Sequence, residues 1–290
     1  MMETLDYHIV ASRLRNFFQY KKGFIEVPAQ SRLSILAACE QPETITTFNL
    51  GNTFYPLPQT GQMWLEYELL KNPSWPGVFC CTTSYRDEPH IIEGRHSRIF
   101  PMFEFEAAGD FNALKALETE LLDYLGFSEP FEVLYQDACH HYETDIIEAT
   151  HEQALEKKYG PVIFLTHFPQ HSQPFWNMKR HHDGTFQKAD VLLYGMETIG
   201  SATRETDVTQ MRERFFELAD GRYSGLLFEK FGKDRVIREL DAYCELPMIE
   251  RFGAGIGMTR LIRAFHQANL LQNTAHYETQ TATKPIELTF

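Results

Sequence analysis

Val78-Phe79-Cys80-Cys81-Thr82-Thr83-Ser84-Tyr85-Arg86 and Phe100-Pro101-Met102-Phe103-Glu104-Phe105-Glu106-Ala107 are two short runs rich in aromatic, sulfur-bearing and β-branched residues. A polar loop containing Gly94 joins them. Strand-length apolar runs on either side of a polar connection predict a β-hairpin, and the strands of a hairpin are antiparallel. In a strand alternate residues share a face, so Arg86 and Glu88 are expected on one side of it.

Toward the N-terminus, Leu5, Ile9, Val10, Leu14, Phe17 and Phe18 recur at helical spacing and predict a helix over 4–21, ended by Gly23. Phe24-Ile25-Glu26-Val27 reads as a strand stopped by Pro28, residues 34–62 as loop with a turn at Gly51-Asn52, and Gln62 to Lys71 as a helix. Toward the C-terminus, Asp110 is placed to cap a helix over Asn112 to Leu125, ended by Gly126. Val162 to Phe168 and Ala189 to Leu193 read as strands, and Asp207 to Leu218 and Asp234 to Tyr243 as helices. Phe252 to Gly257 reads as a strand end feeding a helix from Met258 to about Gln267. The elements do not alternate regularly, which predicts an α+β fold: a mostly antiparallel sheet flanked by helices. One domain over 1–272 and a polar tail over 273–290 are expected.

The 290 residues are 43% hydrophobic, 13% aromatic and 23% charged, enough apolar material for a large core. No apolar run approaches the roughly 18 residues of a membrane span and no signal-peptide pattern opens the chain, so a cytoplasmic protein without membrane contact is expected. A formal charge of −13 argues against an extensive nucleic-acid surface, since phosphate neutralisation drives such binding; a few arginines still suffice for one triphosphate. Five irregularly spaced cysteines form no CxxC pair, and Cys80-Cys81 reads as buried strand. Cys139-His140-His141 and His181-His182 are metal-ligand candidates whose plainer reading is loop histidine.

Three groups of residues carry chemistry. In the hairpin, Arg86 can clamp a phosphate oxygen and a substrate carboxylate, Arg95 and His96 can reach distal phosphates from the loop, and Phe100 can stack on a purine. In Gly253-Ala254-Gly255-Ile256-Gly257-Met258-Thr259-Arg260, alternate glycines leave one strand face bare for a flat ring, and Arg260 opens the next helix within reach of a phosphate or the base. In the third group, Asp190 and Glu197 can bring two carboxylates to one magnesium from neighbouring strands, and Arg204 can grip a carboxylate bidentately. Each has a plainer reading: a charged hairpin face, a glycine-rich turn, a surface ion-pair set.

Taken in order, R-x-E, D-x6-E-x6-R and G-x-G-x-G-x-x-R resemble the class II aminoacyl-tRNA synthetases. Arg86 and Glu88 are similar to motif 2, and Gly253, Gly255, Gly257 and Arg260 to motif 3. Asp190 to Glu205 and Thr60-Gly61-Gln62-Met63-Trp64-Leu65-Glu66 resemble the aspartyl/asparaginyl subgroup over about residues 5–270. The resemblance implies the class II catalytic fold, ATP and Mg2+ as cofactors, and a homodimer. It implies Arg86 and Arg260 as catalytic residues, with Arg86 on the α-phosphate. Glu88 falls to the adenine edge or the amino acid, Arg95 and His96 to the γ-phosphate, and Phe100 and Arg260 to the two faces of adenine, with Gly257 beside it. Asp190 and Glu197 fall to magnesium, and Gln62, Arg204 and Glu40 to an aspartate or asparagine substrate. Lys22 to Val27 resembles motif 1, with Gln30 at its usual proline position, and the lysine that grips aspartate in aspartyl enzymes falls at Leu65. The chain starts at the motif 1 helix, without room for the subgroup's N-terminal anticodon barrel. A synthetase-derived enzyme like archaeal asparagine synthetase is therefore expected, adenylating aspartate and passing it to ammonia. Transfer to tRNA, a protein side chain or a metabolite, and an inactive dimerising paralogue, are the alternatives.

Overall fold

A computed structural model describes residues 2–30, 32–36, 42–89, 91–172 and 174–271. Cys39, Glu40 and the 273–290 tail lie outside the described residues. The elements in order are α1 (Thr4–Arg15), continued by π-helical turns over Asn16–Lys21, β1 (Ile25–Glu26), β2 (Thr47–Leu50), β3 (Thr53–Pro56), α2 (Gln62–Lys71), β4 (Gly77–Tyr85) and β5 (Ile99–Ala108). Then come α3 (Phe111–Leu125), β6 (Phe131–Leu134), α4 (Tyr135–Tyr142), α5 (Ala149–Tyr159), β7 (Val162–Phe168), β8 (Phe186–Leu193) and β9 (Glu197–Thr203). The last are α6 (Val208–Glu217), α7 (Arg222–Phe231), α8 (Lys233–Cys244), β10 (Arg251–Gly257) and α9 (Met258–Gln267).

Eight strands form one sheet in the order β1-β4-β5-β10-β9-β8-β7-β6. The two edge pairs, β1–β4 and β6–β7, are parallel and every pair between them is antiparallel, as the opening hairpin implies. Period-two alternation gives this sheet two unlike faces. On one, Phe103, Phe105, Ala254, Ile256, Ile199, Ala189 and Val191 bury against apolar residues of α1, α3 and α9. Phe18 is wholly buried there, its ring centroid 4.7 Å from that of Phe105 and 5.2 Å from that of Phe103. Burying one such side chain contributes about 1.5–3 kcal/mol. The opposite face carries Glu104, Glu106, Gly253, Gly255, Gly200, Ala202, Lys188 and Asp190. It is covered at one end by α2, which packs with α6, α7 and α8 around Trp176, Phe215, Tyr223 and Tyr243.

Local signals explain the boundaries. Asp110 accepts the Ala113 N–H at 2.8 Å and starts α3. Gly126 ends it at φ +96°, a conformation that strains other residues, and a Cβ there would meet Leu270 at 3.0 Å.

Four expectations change. The 34–62 segment is not only loop. Thr47–Leu50 and Thr53–Pro56 pair across Gly51-Asn52, whose φ values of 57° and 64° suit a tight hairpin turn. Helices α4, α5 and α7 and strand β6 add to the elements read from the sequence. Arg86 and Glu88 lie beyond the end of β4, so strand alternation does not place them: Arg86 N–H still bonds Arg98 O at 2.8 Å, but Asp87 N–H turns away to Thr44 O at 3.1 Å. Among the described residues no three His, Cys, Asp or Glu side chains gather as a metal site; Cys139-His140-His141 lies in α4, and His181 stacks on His167 with centroids 4.2 Å apart. No helix among the described residues is long and apolar enough to cross a membrane.

Candidate active site

Strand register builds the site floor in rows. Glu106, Gly253, Ala202 and Lys188 stand side by side across β5, β10, β9 and β8, and Glu104, Gly255, Gly200 and Asp190 form the next row. Small residues thus fill the middle and charged residues the two walls. A cavity of about 210 Å3 opens over this floor, and Gln62, Glu66, Arg86, Lys188, Glu197 and Arg204 all line it.

At one end Arg204 follows β9. Its Nε and Nη2 donate to the two Glu106 oxygens at 3.1 Å each, and Nη2 also donates to Gln62 Oε1. Gln62 Nε2 donates to Ala254 O at 2.6 Å, so the two recognition candidates hold each other. Glu66, one helical turn after Gln62, lies 3.3 Å from Arg204 Nε and accepts from Arg251 at 2.7 Å, Tyr243 at 2.6 Å and Asn177 at 2.8 Å. Burial drives the Glu66 carboxyl up, but Arg204, Arg251 and the Tyr243 hydroxyl outweigh it and hold it below the usual range. Burial, with the Glu66 charge beside it, raises Glu106 to about 7 against the pull of Arg204. Two arginines and two carboxylates therefore share one buried cluster, a weak source of stability but a strong constraint on geometry.

Glu104, wholly buried, accepts the Gly61 N–H and the Thr82 hydroxyl at 2.7 Å each, and the Thr60 hydroxyl. Burial raises its carboxyl although those bonds and Arg86 oppose it. It fastens the start of α2 to β5 and so sets where Gln62 points. Arg86 leaves β4 with its guanidinium 5.5 Å over the Phe100 ring.

At the other end Arg260, in the first turn of α9, donates to Glu197 O at 2.8 Å and sits 3.6 Å from its carboxylate. Loss of water raises the Glu197 carboxyl, and Arg260, Lys188, Arg86 and Arg95 together bring it below the usual range. Lys188 donates to Asp190 at 2.9 Å. A Cβ on Gly200 would lie 3.3 Å from Glu197 Oε1 and 3.7 Å from Asp190 Oδ1, so both carboxylates border one small cradle over Gly200.

Two sequence expectations find other surroundings. Gly253 does not leave its face bare: a Cβ there would lie 1.7 Å from Glu106, whose carboxylate occupies the space, and Met102 stands over Gly255. The open glycine is Gly257, beside Arg260. Arg95 is not among the residues lining the cavity: its Nη2 donates to both Glu152 oxygens on α5, at 2.7 and 2.8 Å, although its charge still bears on Glu197. His96 stands 3.8 Å from Glu88, away from the floor rows. Glu66, Glu106, Lys188, Asn177, Glu152 and Arg251 are the site residues that sequence reasoning left without a role. The helical spacing of Glu66 from Gln62, and glycines facing glutamates across two strands, are the signals that point to them.

The sequence profile of the family "tRNA synthetases class II (D, K and N)" matches residues 4–280. The asparaginyl-tRNA synthetase of Pyrococcus horikoshii, complexed with asparaginyl-adenylate, superimposes with a TM-score of 0.74 at 20% identity, over 92% of this chain and 64% of that one. A putative aspartyl-tRNA synthetase from Leishmania major Friedlin gives 0.69 at 16% identity, over 90% and 61%. A lysine–tRNA ligase of Clostridium novyi (strain NT) is 26% identical over 140 residues, which is 48% of this chain and 27% of that protein. The chain thus spans less than two thirds of the length of these relatives, and within that span it belongs to the class II tRNA synthetase family of the D, K and N type.

Proposed function

We propose that this protein activates a carboxylate of aspartate or asparagine by adenylation, with ATP as the nucleotide and release of pyrophosphate. One observation carries the reading: residues from five separated stretches, 60–66, 86–102, 175–178, 188–204 and 253–255, line one small cavity, with Arg204 at its base, Arg86 and Lys188 in its wall, and Arg260 bonded to the lining residue Glu197. Arg204 at the base suits an amide or carboxylate side chain and opposes a lysine. Arg86 sits where it can neutralise the charge that builds on the α-phosphate as a substrate carboxylate oxygen attacks phosphorus and pyrophosphate leaves. Phe100 lies one outward-facing step beyond Met102, the residue that pairs with Gly257, and Arg260 follows Gly257, so both stand at the same end of the floor for a purine. The homodimer implied by motif 1 belongs to the same proposal.

This family uses ATP and Mg2+ in general. Asp190 and Glu197, converging on the Gly200 cradle, fit a cation that takes one or two carboxylates and completes its shell with phosphate oxygens and water. Bound there, Mg2+ supplies neutralisation of the phosphate charge. The cations around Glu197 favour its charged form, and Lys188 donates to Asp190.

Amino-acid-dependent ATP–pyrophosphate exchange across the standard amino acids tests the proposal. Exchange with aspartate or asparagine, absent in Arg86→Ala, is the expected result. No exchange with any amino acid sinks it. Adding ammonium or tRNA to the positive reaction then identifies the acceptor by its product.

A further inference from the structure

A second cavity lies behind the amino-acid end of the site. It holds about 190 Å3, close to the candidate active site, and opens into a wider bowl at the surface. Its base is Phe186, with the Arg180 and Arg214 guanidinium carbons 4.9 and 5.9 Å from the ring centroid. Burial, and then the neighbouring Arg180 charge, push the Arg214 guanidinium down from its ordinary value. Glu217 and Asp220 line the same space from the end of α6 and the turn after it. Among the described residues Arg180, Glu217 and Asp220 have no ion-pair partner within 4.0 Å, although they border one cavity. Asp220 is held at φ 55° after Ala219 at 52°, two non-glycine residues in the left-handed region. Trp176 also lines the cavity; it is 1% exposed, and its indole N–H is buried without an acceptor.

We infer that this cavity is a second binding site for a free α-amino acid, distinct from the one that is adenylated. Arg180 takes the carboxylate, with the Arg214 charge behind it, Glu217 and Asp220 the ammonium group, and Phe186 and Trp176 the side chain. Arg214 is already paired with Glu205 at 3.4 Å, so the open charges are Arg180, Glu217 and Asp220: a simple anion leaves both carboxylates unanswered, and a simple cation leaves Arg180 so. A small zwitterion answers both signs, and the volume suits a molecule of that size.

The wall between the two cavities is shared. Pro174 and Trp176 face the second cavity, while Phe175, Asn177 and Met178 line the first. Arg214 donates to Met178 O at 2.8 Å, and Asn177 donates to Glu66. Trp176 packs edge-on against Tyr243, whose hydroxyl donates to Glu66 at 2.6 Å. A ligand that draws on Arg214 or Trp176 therefore bears on the cluster that holds Arg204, and occupancy of the second site changes affinity at the first.

Equilibrium dialysis with the standard L-amino acids tests this on the whole chain, in wild type, Arg180→Gln, Asp220→Asn and Arg86→Ala. At least one amino acid binds wild type and Arg86→Ala alike and about tenfold or more weaker to Arg180→Gln and Asp220→Asn. Arg180→Gln keeps the basal exchange rate, and it loses any change in exchange KM caused by that amino acid. If no amino acid shows binding that either second-site variant weakens, the proposal is overturned, and so it is by a cavity that takes inorganic phosphate and no amino acid. The binding readout needs no adenylation, so its failure is separable from failure of the catalytic proposal.

Discussion

The two faces of the central sheet are made by the same strands and behave as different materials. Phe103, Phe105 and Ala107 of β5 and Phe252, Ala254 and Ile256 of β10 enter a dry apolar layer; on the other face Glu104 and Glu106 stand buried beside Gly253 and Gly255, which line the cavity. A shift of one residue in register would exchange them, so the apolar face fixes the register that the chemistry depends on. Mutations on the two faces should therefore separate stability from catalysis.

The largest expected effect is on the dry face. Phe18→Ala removes a wholly buried ring packed on Phe79, Phe103 and Phe105, and should cost about 3–5 kcal/mol of stability, read by denaturant unfolding. The fraction still folded should keep its exchange KM; a KM that moves with stability would break the separation. Arg86→Ala is the reverse case. Exchange should fall about 100- to 1000-fold with an unfolding midpoint within a degree or two of wild type. A large loss of stability would mean that Arg86 belongs to the scaffold.

Glu118 is the exception that sharpens the comparison. It sits on α3 on the dry side, fully buried, and burial, with Asp190 nearby, raises it to about 8 against the opposing pull of the Ser201 hydroxyl. Its folded value lies above the ordinary 4.5, so the folded state holds a proton the unfolded state has lost, and stability falls as pH rises from about 4.5 to about 8. Glu118→Gln should remove that slope and be more stable than wild type by roughly 1–3 kcal/mol at pH 9, measured by unfolding across pH. An unchanged slope would show that Glu118 is not the neutral acid described.

The hairpin, α2, α3, β7 and the β10–α9 junction were legible because each has a complete local signal: alternation, an N-cap, or a glycine at a stop. The β2–β3 hairpin was partly legible, since its turn was read but its strands, four residues each with Phe48, Leu50 and Phe54 exposed, were not. Helix α4 is short, with Tyr135 and Ala138 its buried residues, so little local distinguishes it from loop; α7 carries a stripe, Tyr223, Leu227 and Phe231 at helical spacing, that the sequence reading passed over. In the site, residue types were legible and neighbours were not. That Glu106 fills the space over Gly253 depends on a register between strands about 150 residues apart, and that Arg95 is held by Glu152 depends on where α5 packs. Such partners are set by tertiary placement and leave no mark in either segment alone.

The smallest expected effect tests the charge balance at the base of the cavity. Arg204 and Arg251 face Glu66 and Glu106, so the cluster is neutral when all four are charged. An asparagine side chain adds no charge to it, whereas an aspartate carboxylate adds one negative charge unless Glu106 holds a proton. With Glu106 raised to about 7, that proton is present below neutrality and lost above it. The ratio of aspartate KM to asparagine KM should therefore rise with pH through 7, by at most about tenfold per unit. Glu106→Gln makes the residue neutral at every pH, so the ratio should become flat and shift toward aspartate. The amide can still accept from Arg204, and an unchanged unfolding midpoint would confirm that the pocket survives. A ratio independent of pH in wild type, or the same pH slope in Glu106→Gln, would locate the discrimination elsewhere, with Glu66 the next residue to change because it touches the same guanidinium from the opposite helix.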